Sequence, residues 1–170
     1  VFIYDTSKDS DGGAWRHRTQ HTSWYNEAAS NTRGSRKEFP AVAVIVAEAR
    51  KVTIYDGDDP SLPMWMVFAI NFDEIIRLNG GYSLTSITAV NGRFSAGTNN
   101  NGFSLVNFVA DRGLNWEAAL TGKSIYNGNI AQRDDQLGWT SLDVSQAIRN
   151  KTVNDVAMTV LPDAPTDPAT

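Results

Sequence analysis

The chain has 170 residues, a formal net charge of −4 and no cysteine. The lack of cysteine excludes disulfide bonds, zinc–thiolate sites and cysteine nucleophiles. The negative charge argues against a nucleic-acid surface, which needs clustered Lys and Arg. The one basic cluster, Arg33, Arg36 and Lys37, is interpreted as a solvated loop. No apolar run approaches the roughly 20 residues that span a bilayer, so membrane insertion is not expected.

The chain opens with a short apolar run and a polar loop, VFIYDTSKDSDGGAWRHRT, that leads to Trp15. In a helical calcium loop with its glycine at the sixth position, Ser7, Asp9 and Asp11 would be the first three ligands. The twelfth position is then Arg18, where such a loop needs Glu. Asp9 and Asp11 are therefore only weak calcium candidates. The favoured interpretation is a turn whose Asp and Ser side chains accept hydrogen bonds from nearby backbone N–H groups.

The same stretch contains SKDSDGGAW, in which four residues keep a fixed order: Ser7, Asp9, Gly12 and Trp15. It resembles the sialidase-type Asp box, Ser-x-Asp-x-Gly-x-Thr-Trp, with Asp11 as one extra residue and alanine in place of Thr. In that family the box holds a hairpin of a propeller blade together, with the Trp packed under the hairpin and the Asp bound to backbone. The resemblance implies a blade turn and is no evidence of glycosidase chemistry.

Two histidines, His17 and His21, lie four residues apart in RHRTQHTSWY. This context is strand-like, and residues four apart in a strand lie about 13 Å from each other. That distance is too long for both rings to bind one metal ion. Hydrogen-bonding or stacking histidines are the preferred interpretation, and no cofactor is predicted.

Strand patterns dominate the rest of the chain. Apolar or alternating runs occupy 40–49, 51–56, 84–90, 92–98, 102–109 and 153–161. Asn91-Gly92 separates two of them and predicts a tight hairpin, because both residues tolerate positive φ. Helical patterns are confined to 72–79 and 140–150, where Thr140 or Ser141 would be the N-cap. The predicted class is all-β with one or two short helices.

The strands repeat with a period near fifty residues. Each copy is an apolar strand that ends in Asp or Asn, then a polar loop, then a tryptophan. The strands start at Val1, Val52 and Phe103 and end at Asp5, Asp56 and Asn107, and the tryptophans are Trp15, Trp65 and Trp116. This period is typical of β-propeller blades, with a β-sandwich or jelly roll as the alternatives. The three tryptophans are interpreted as core residues.

The repeat divides the chain into units near 1–51, 52–102 and 103–161, with 162–170 as a linker. Three units are too few to close a propeller ring, and an open stack exposes edge strands that invite pairing with another chain. The chain also begins within a strand pattern and stops in a loop pattern. We therefore expect a single β-rich segment of a longer polypeptide that works as part of an assembly.

Catalytic patterns are weak. The candidate carboxylates are Asp58, Asp59, Asp73, Glu74, Asp134 and Asp135, and no spacing singles out an acid–base pair among them. No catalytic residue is therefore predicted. Aromatic side chains outside the repeat positions are more promising for contact with sugar or protein, because they combine a flat apolar face with a polar edge. They are Trp24, Tyr25, Tyr126 and Trp139.

Four long strings carry a resemblance that extends over nearly the whole chain: DTSKDSDGGAWRHRTQHTSWYNE, NTRGSRKEFPAVAVIVAE, VTIYDGDDPSLPMWMVF and VNDVAMTVLPDAPTDPAT. They resemble the N-terminal region of large tail-fibre or tail-appendage proteins of bacteriophages. The resemblance implies a virion structural protein, extracellular in the mature particle, with propeller-like repeats. Its implied partners are other virion subunits, copies of itself, and a host-surface glycan or protein. The alternative function is a carbohydrate-binding or carbohydrate-active propeller of the sialidase or depolymerase kind.

Overall fold

The computed structural model describes residues 1–21, 36–48, 51–69, 83–100, 102–110, 112–116, 121–125, 140–141, 148–150 and 152–161. These residues form mostly antiparallel β-structure, in agreement with the predicted all-β class. The strands are β1 (Phe2–Asp5), β2 (Val42–Glu48), β3 (Lys51–Asp56), β4 (Met64–Ala69), β5 (Leu84–Val90), β6 (Arg93–Thr98), β7 (Phe103–Asn107), β8 (Arg112–Trp116), β9 (Thr121–Ile125) and β10 (Thr140–Ser141). Two 3₁₀ segments, η1 (Thr6–Lys8) and η2 (Ala14–His21), follow β1.

The first sheet has four strands in the order β1-β2-β3-β4, each antiparallel to the next in the chain. β2 alternates between buried and half-exposed residues, and Ala43 and Ile45 are fully buried. Cross-strand partners continue this buried face, with Ile54 opposite Ile45 and Met66 opposite Ile54. β-Branched residues suit the extended backbone, and their alternation selects the face that turns toward the core.

A β-bulge in β4 explains how the second repeat tryptophan enters the core. Ile54 pairs with Met66 and Tyr55 pairs with Met64, so Trp65 is an extra residue between them. Trp65 and Met66 are both fully buried although they are consecutive. Because consecutive residues of a regular strand face opposite sides, the bulge is needed to turn both side chains inward.

The second sheet has six strands in the order β10-β9-β8-β7-β6-β5, again with each strand beside its neighbour in sequence. Val90 pairs with Arg93, and the two residues between them have φ values of 49° for Asn91 and 68° for Gly92. The predicted Asn-Gly hairpin is therefore confirmed. The next turn ends at Gly102, with φ of 71°, whose carbonyl accepts a hydrogen bond from Thr98 N at 2.9 Å.

The two sheets share one hydrophobic core. Its centre is an aromatic cluster in which the Phe39 ring lies 5.0 Å from Trp15, 4.9 Å from Trp65 and 4.6 Å from Phe108. Phe94, Ala96 and Val106 of the second sheet, and the buried residues of the first, belong to the same cluster. Trp15 and Trp65 thus lie in the core, as interpreted from the repeat. Trp116, interpreted as the third core tryptophan, is instead half-buried and stacks on Phe103 at 4.7 Å between ring centroids.

The predicted strand at 153–161 is wrong. Residues 152–161 run along the outer face of the second sheet without a strand ladder. They are tied to it by Val153 N, which donates to Thr98 O at 2.8 Å, and by the Thr85 hydroxyl, which donates to Val153 O. A Cβ at Gly97 would lie 2.9 Å from Val153 Cγ1, so the segment packs directly on β6. The apolar pattern reflects this contact of valines with a sheet face.

The predicted helices and the predicted repeat units are only partly within the described residues. Thr140 and Ser141 form β10 and residues 148–150 are not helical, while residues 142–147 of that predicted helix and the predicted helix at 72–79 lie outside the described residues. The boundary between the sheets, after β4, falls inside the predicted unit 52–102. Helical segments that the structure describes fall short of the length and apolar character needed to cross a membrane.

We expect Trp65→Ala to lower the free energy of unfolding by about 3–5 kcal/mol, because it leaves a cavity beside Phe39 and Phe108. Leu62→Ala is the matched control, since Leu62 is 46% exposed. Its backbone has a positive φ, which leucine and alanine disfavour to a similar extent, so the substitution adds no backbone strain. The control should change stability by no more than about 0.5 kcal/mol. Urea unfolding curves of the two variants give both values, and equal losses would contradict a core role for Trp65.

Candidate functional site

The opening polar loop is built around the buried carboxylate of Asp9, which is only 7% exposed. Its Oδ2 accepts hydrogen bonds from the Tyr4 hydroxyl at 2.6 Å and from Trp15 Nε1 at 2.8 Å. Its Oδ1 accepts a third from the backbone N–H of Asn91 at 2.9 Å. A buried carboxylate is costly unless such donors replace water, and hydrogen bonds to a charged acceptor are the strong ones.

These contacts attach the loop to the hairpin turn of the second sheet. Ser10 N donates to Asn91 Oδ1 at 2.9 Å, and Asn91 Nδ2 donates to the Ser10 hydroxyl at 3.0 Å. Gly92 N donates to the Tyr4 hydroxyl at 2.9 Å. Four hydrogen bonds therefore link the Asn-Gly turn to β1 and to the loop that follows β1.

Both calcium candidates are engaged in this network. Asp11 accepts hydrogen bonds from Gly13 N at 2.9 Å and from Trp15 N at 3.0 Å, as an Asp-rich turn does. Among the described residues, no group of three or more His, Cys, Asp or Glu is placed to hold a metal ion. The loop thus acts as a structural link, in which Asp9 binds both the tryptophan and backbone.

The three repeat strands end in the same local structure. β1, β3 and β7 end at Asp5, Asp56 and Asn107, as the repeat aligns them. In each case a side-chain oxygen accepts a hydrogen bond from the N–H two residues later, at 3.1, 3.0 and 3.1 Å. Such turns stop a strand because they give the backbone a competing partner. The repeat therefore corresponds to a shared way of ending a strand.

A second polar cluster joins the β3–β4 loop to the segment before β2. Arg36 forms ion pairs with the buried Asp56 and, at 3.1 Å from its Nη2, with Asp58. Asp58 also accepts hydrogen bonds from the N–H groups of Ala41 and Val42 at 2.8 and 3.0 Å. Burial lowers the pKa of Arg36, but the hydrogen bond and charge of Asp56 outweigh this and raise it overall. The interpretation of Arg36 as solvated is wrong, while Lys37 is exposed.

The remaining predicted residues do not form a catalytic constellation in the described part of the chain. The predicted strand-like context of His17 is wrong, because this residue lies in the 3₁₀ segment η2. Its Nδ1 lies 2.9 Å from Glu38 Oε2, on the surface. Asp59 accepts hydrogen bonds from the N–H and hydroxyl of Ser61, which lower its pKa. Outside the described residues lie Trp24, Tyr25, Arg33, Asp73, Glu74, Tyr126, Asp134, Asp135 and Trp139.

The outer face of the second sheet, away from the shared core, is concave in several places. Three cavities of about 180, 450 and 540 Å³ lie along it, and Leu105 lines all three. The two larger ones are roofed by residues 153–161. The smallest is lined by Arg93, Leu105, Asn107, Arg112 and Leu114. Sequence reasoning missed this face, because its residues come from three strands and only the pairing register brings them together.

Comparison with known proteins returns no assignment. No protein-family model matches this chain, and neither a curated protein nor a solved structure is significantly similar to it.

Asp9→Asn should lower the free energy of unfolding by about 2–5 kcal/mol, because an amide nitrogen would face the donors of Tyr4 and Trp15. Asp11→Asn is the control, since its acceptors serve only local backbone groups. The loss of stability in Asp11→Asn should be less than half of that in Asp9→Asn. Chemical denaturation measures both, and a larger loss in Asp11→Asn would show that Asp9 is not the central acceptor.

Alkaline pH should reveal the state of Tyr4. Burial raises the pKa of Tyr4 far above its ordinary value of 10.0, and the hydrogen bond to Asp9 raises it further. The protonated phenol therefore contributes stability that is complete below pH 10 and falls as the pH rises beyond it, where only the unfolded chain ionises. Tyrosinate absorbance followed during alkaline unfolding should show one late tyrosine that Tyr4→Phe lacks. Identical titration of the two proteins would contradict this.

Proposed function

We propose that the chain is a structural, non-catalytic β-module of a bacteriophage tail or fibre, which assembles with other virion subunits and with copies of itself. The sequence strings that resemble phage appendage proteins support the proposal that the module belongs to a phage particle. The described structure supports a structural role, since its polar clusters tie loops to sheets. Such a module would be part of the virion and extracellular in the mature particle.

We further propose that the sheets are blades of propeller type. The support is their strand order: in both sheets every strand lies beside its neighbour in sequence. Propeller blades are four-stranded antiparallel sheets with this simple order, whereas sandwiches and jelly rolls of Greek-key type bring distant strands together. The first sheet has this strand number, and the second has two strands more. A sandwich with sequential strands remains the alternative architecture. Both architectures predict a sheet face that packs against another sheet or another chain.

The observation that carries the assembly proposal is the apolar outer face of the first sheet. Ile3, Val44, Tyr55 and Met64 lie in one cross-strand row on the face opposite the core. Ile3 is 67% exposed, and the other three are half-buried. Large exposed apolar faces mark protein interfaces, and this row supports the proposal of one here. Because the face is repeated in each copy of the chain, a second copy is its proposed occupant, face to face about a twofold axis.

The oligomeric state tests this proposal. We expect sedimentation velocity to show concentration-dependent self-association, which Ile3→Asp abolishes by placing a charge in the interface. Leu161→Asp is a closely matched control, because Leu161 is 68% exposed and lies on the second sheet's side. It should associate like the unaltered chain. A chain that stays monomeric at every concentration, or equal loss in both variants, would contradict the proposal.

A second candidate function is carbohydrate binding. The observation that favours it is the concave outer face of the second sheet, with two arginines and a half-buried aromatic pair, Phe103 and Trp116. Hydrolytic activity is less supported, because the described carboxylates at Asp9, Asp11 and Asp58 accept hydrogen bonds that hold turns. A binding role and an assembly role use different faces and are compatible.

A further inference from the structure

We propose that the smallest cavity on the outer face of the second sheet binds the carboxylate or sulfate group of an acidic saccharide. This inference deepens the carbohydrate-binding candidate and is independent of self-association through the first sheet. The cavity has a volume of about 180 Å³, lies on strands β6, β7 and β8, and is flanked by Arg93 and Arg112. The shared chemistry of the two ligand groups is an oxyanion.

The pairing register of the sheet builds this cavity. Arg93 on β6 lies opposite Asn107 on β7, and Asn107 lies opposite Arg112 on β8. Directly paired residues share a face, so the two arginines flank one asparagine in a row across three strands. Neighbouring strands are about 4.8 Å apart, so the Cα atoms of the arginines are about 10 Å apart. Arginine side chains are long enough for both to reach one small anion from that separation.

Guanidinium groups suit this role better than other cations. Arg presents a planar set of donors that matches the oxygens of a carboxylate or sulfate, often in pairs. Arg112 is exposed, so its head group reaches solvent, while Arg93 is half-buried beside the roof formed by residues 157–161. The asparagine side chain is oriented by its turn, since its Oδ1 accepts hydrogen bonds from Val109 N and Ala110 N.

The rest of the same face suits a sugar ring. Leu105 and Leu114 are an opposed pair that lines the cavity. Two residues further along, the Phe103 and Trp116 rings stack at 4.7 Å with 12° between their planes. The row from the arginines to this aromatic pair spans four residues of strand, about 13 Å. Apolar and aromatic surfaces next to charge-assisted donors match a ligand with flat apolar ring faces and one acidic group.

Affinity electrophoresis in gels that contain a polysaccharide tests the proposal with named probes. The unaltered chain should be retarded by a polyuronate or by a sulfated dextran, and to a much smaller extent by neutral dextran. Comparison of the polyuronate with the sulfated dextran identifies which oxyanion is preferred. Retardation should weaken as salt is added, because exposed charges are screened. Equal retardation by neutral dextran, or none by either acidic polymer, would overturn the proposal.

Two variants test whether polysaccharide binding depends on the cavity. Arg112→Gln should weaken binding by about tenfold or more, as expected for loss of a hydrogen bond between charged groups. Lys8→Gln removes the same charge from the opening loop, where the side chain is 81% exposed, and should bind as the unaltered chain does. Equal weakening in the two variants would show a net-charge effect and overturn the site. Sedimentation of Arg112→Gln should match the unaltered chain, so failure here is distinct from failure of self-association.

Discussion

The fold depends on one buried negative charge. Asp9 sits where β1, the 3₁₀ segment that carries Trp15 and the first hairpin of the second sheet meet. Each of these three elements donates one hydrogen bond to its carboxylate. A buried carboxylate is costly unless such donors are in place, so displacement of any one of the three elements destabilises the contact of the other two with Asp9. The relative position of the two sheets is thus specified by a polar contact as well as by hydrophobic burial.

The aromatic cluster completes this arrangement. Trp15 contributes its indole N–H to the carboxylate while its ring packs on Phe39 and Phe108. One side chain therefore couples the polar link to the core. Apolar contacts alone allow sheets to slide and repack, whereas a hydrogen bond with defined geometry selects one alignment. The bulge that turns Trp65 inward serves the same core from the first sheet.

Local features of the sequence predicted local structure well. The Asn91-Gly92 hairpin and the strand ends at Asp5 and Asp56 follow from short-range chemistry, namely backbone φ and side-chain acceptors near their own N–H groups. The contact between Asp9 and Asn91 could not be predicted from the sequence, because Asn91 is more than eighty residues away and only the tertiary fold brings it close. The arginine cavity was missed for the same reason. Alternation at 153–161 was misleading, because valines that pack on a sheet face give the same pattern as a strand.

The outer faces of the two sheets differ in chemistry, and this difference supports the two proposed roles. The first sheet presents an apolar row from Ile3 to Met64, which favours a protein surface of like character. The second presents arginines, an asparagine and stacked aromatic rings over shallow cavities, which favours a polar ligand of small size. A module that assembles through one face keeps the other open to solvent. Repetition of the module in an assembly would then multiply weak contacts on the open faces into strong attachment.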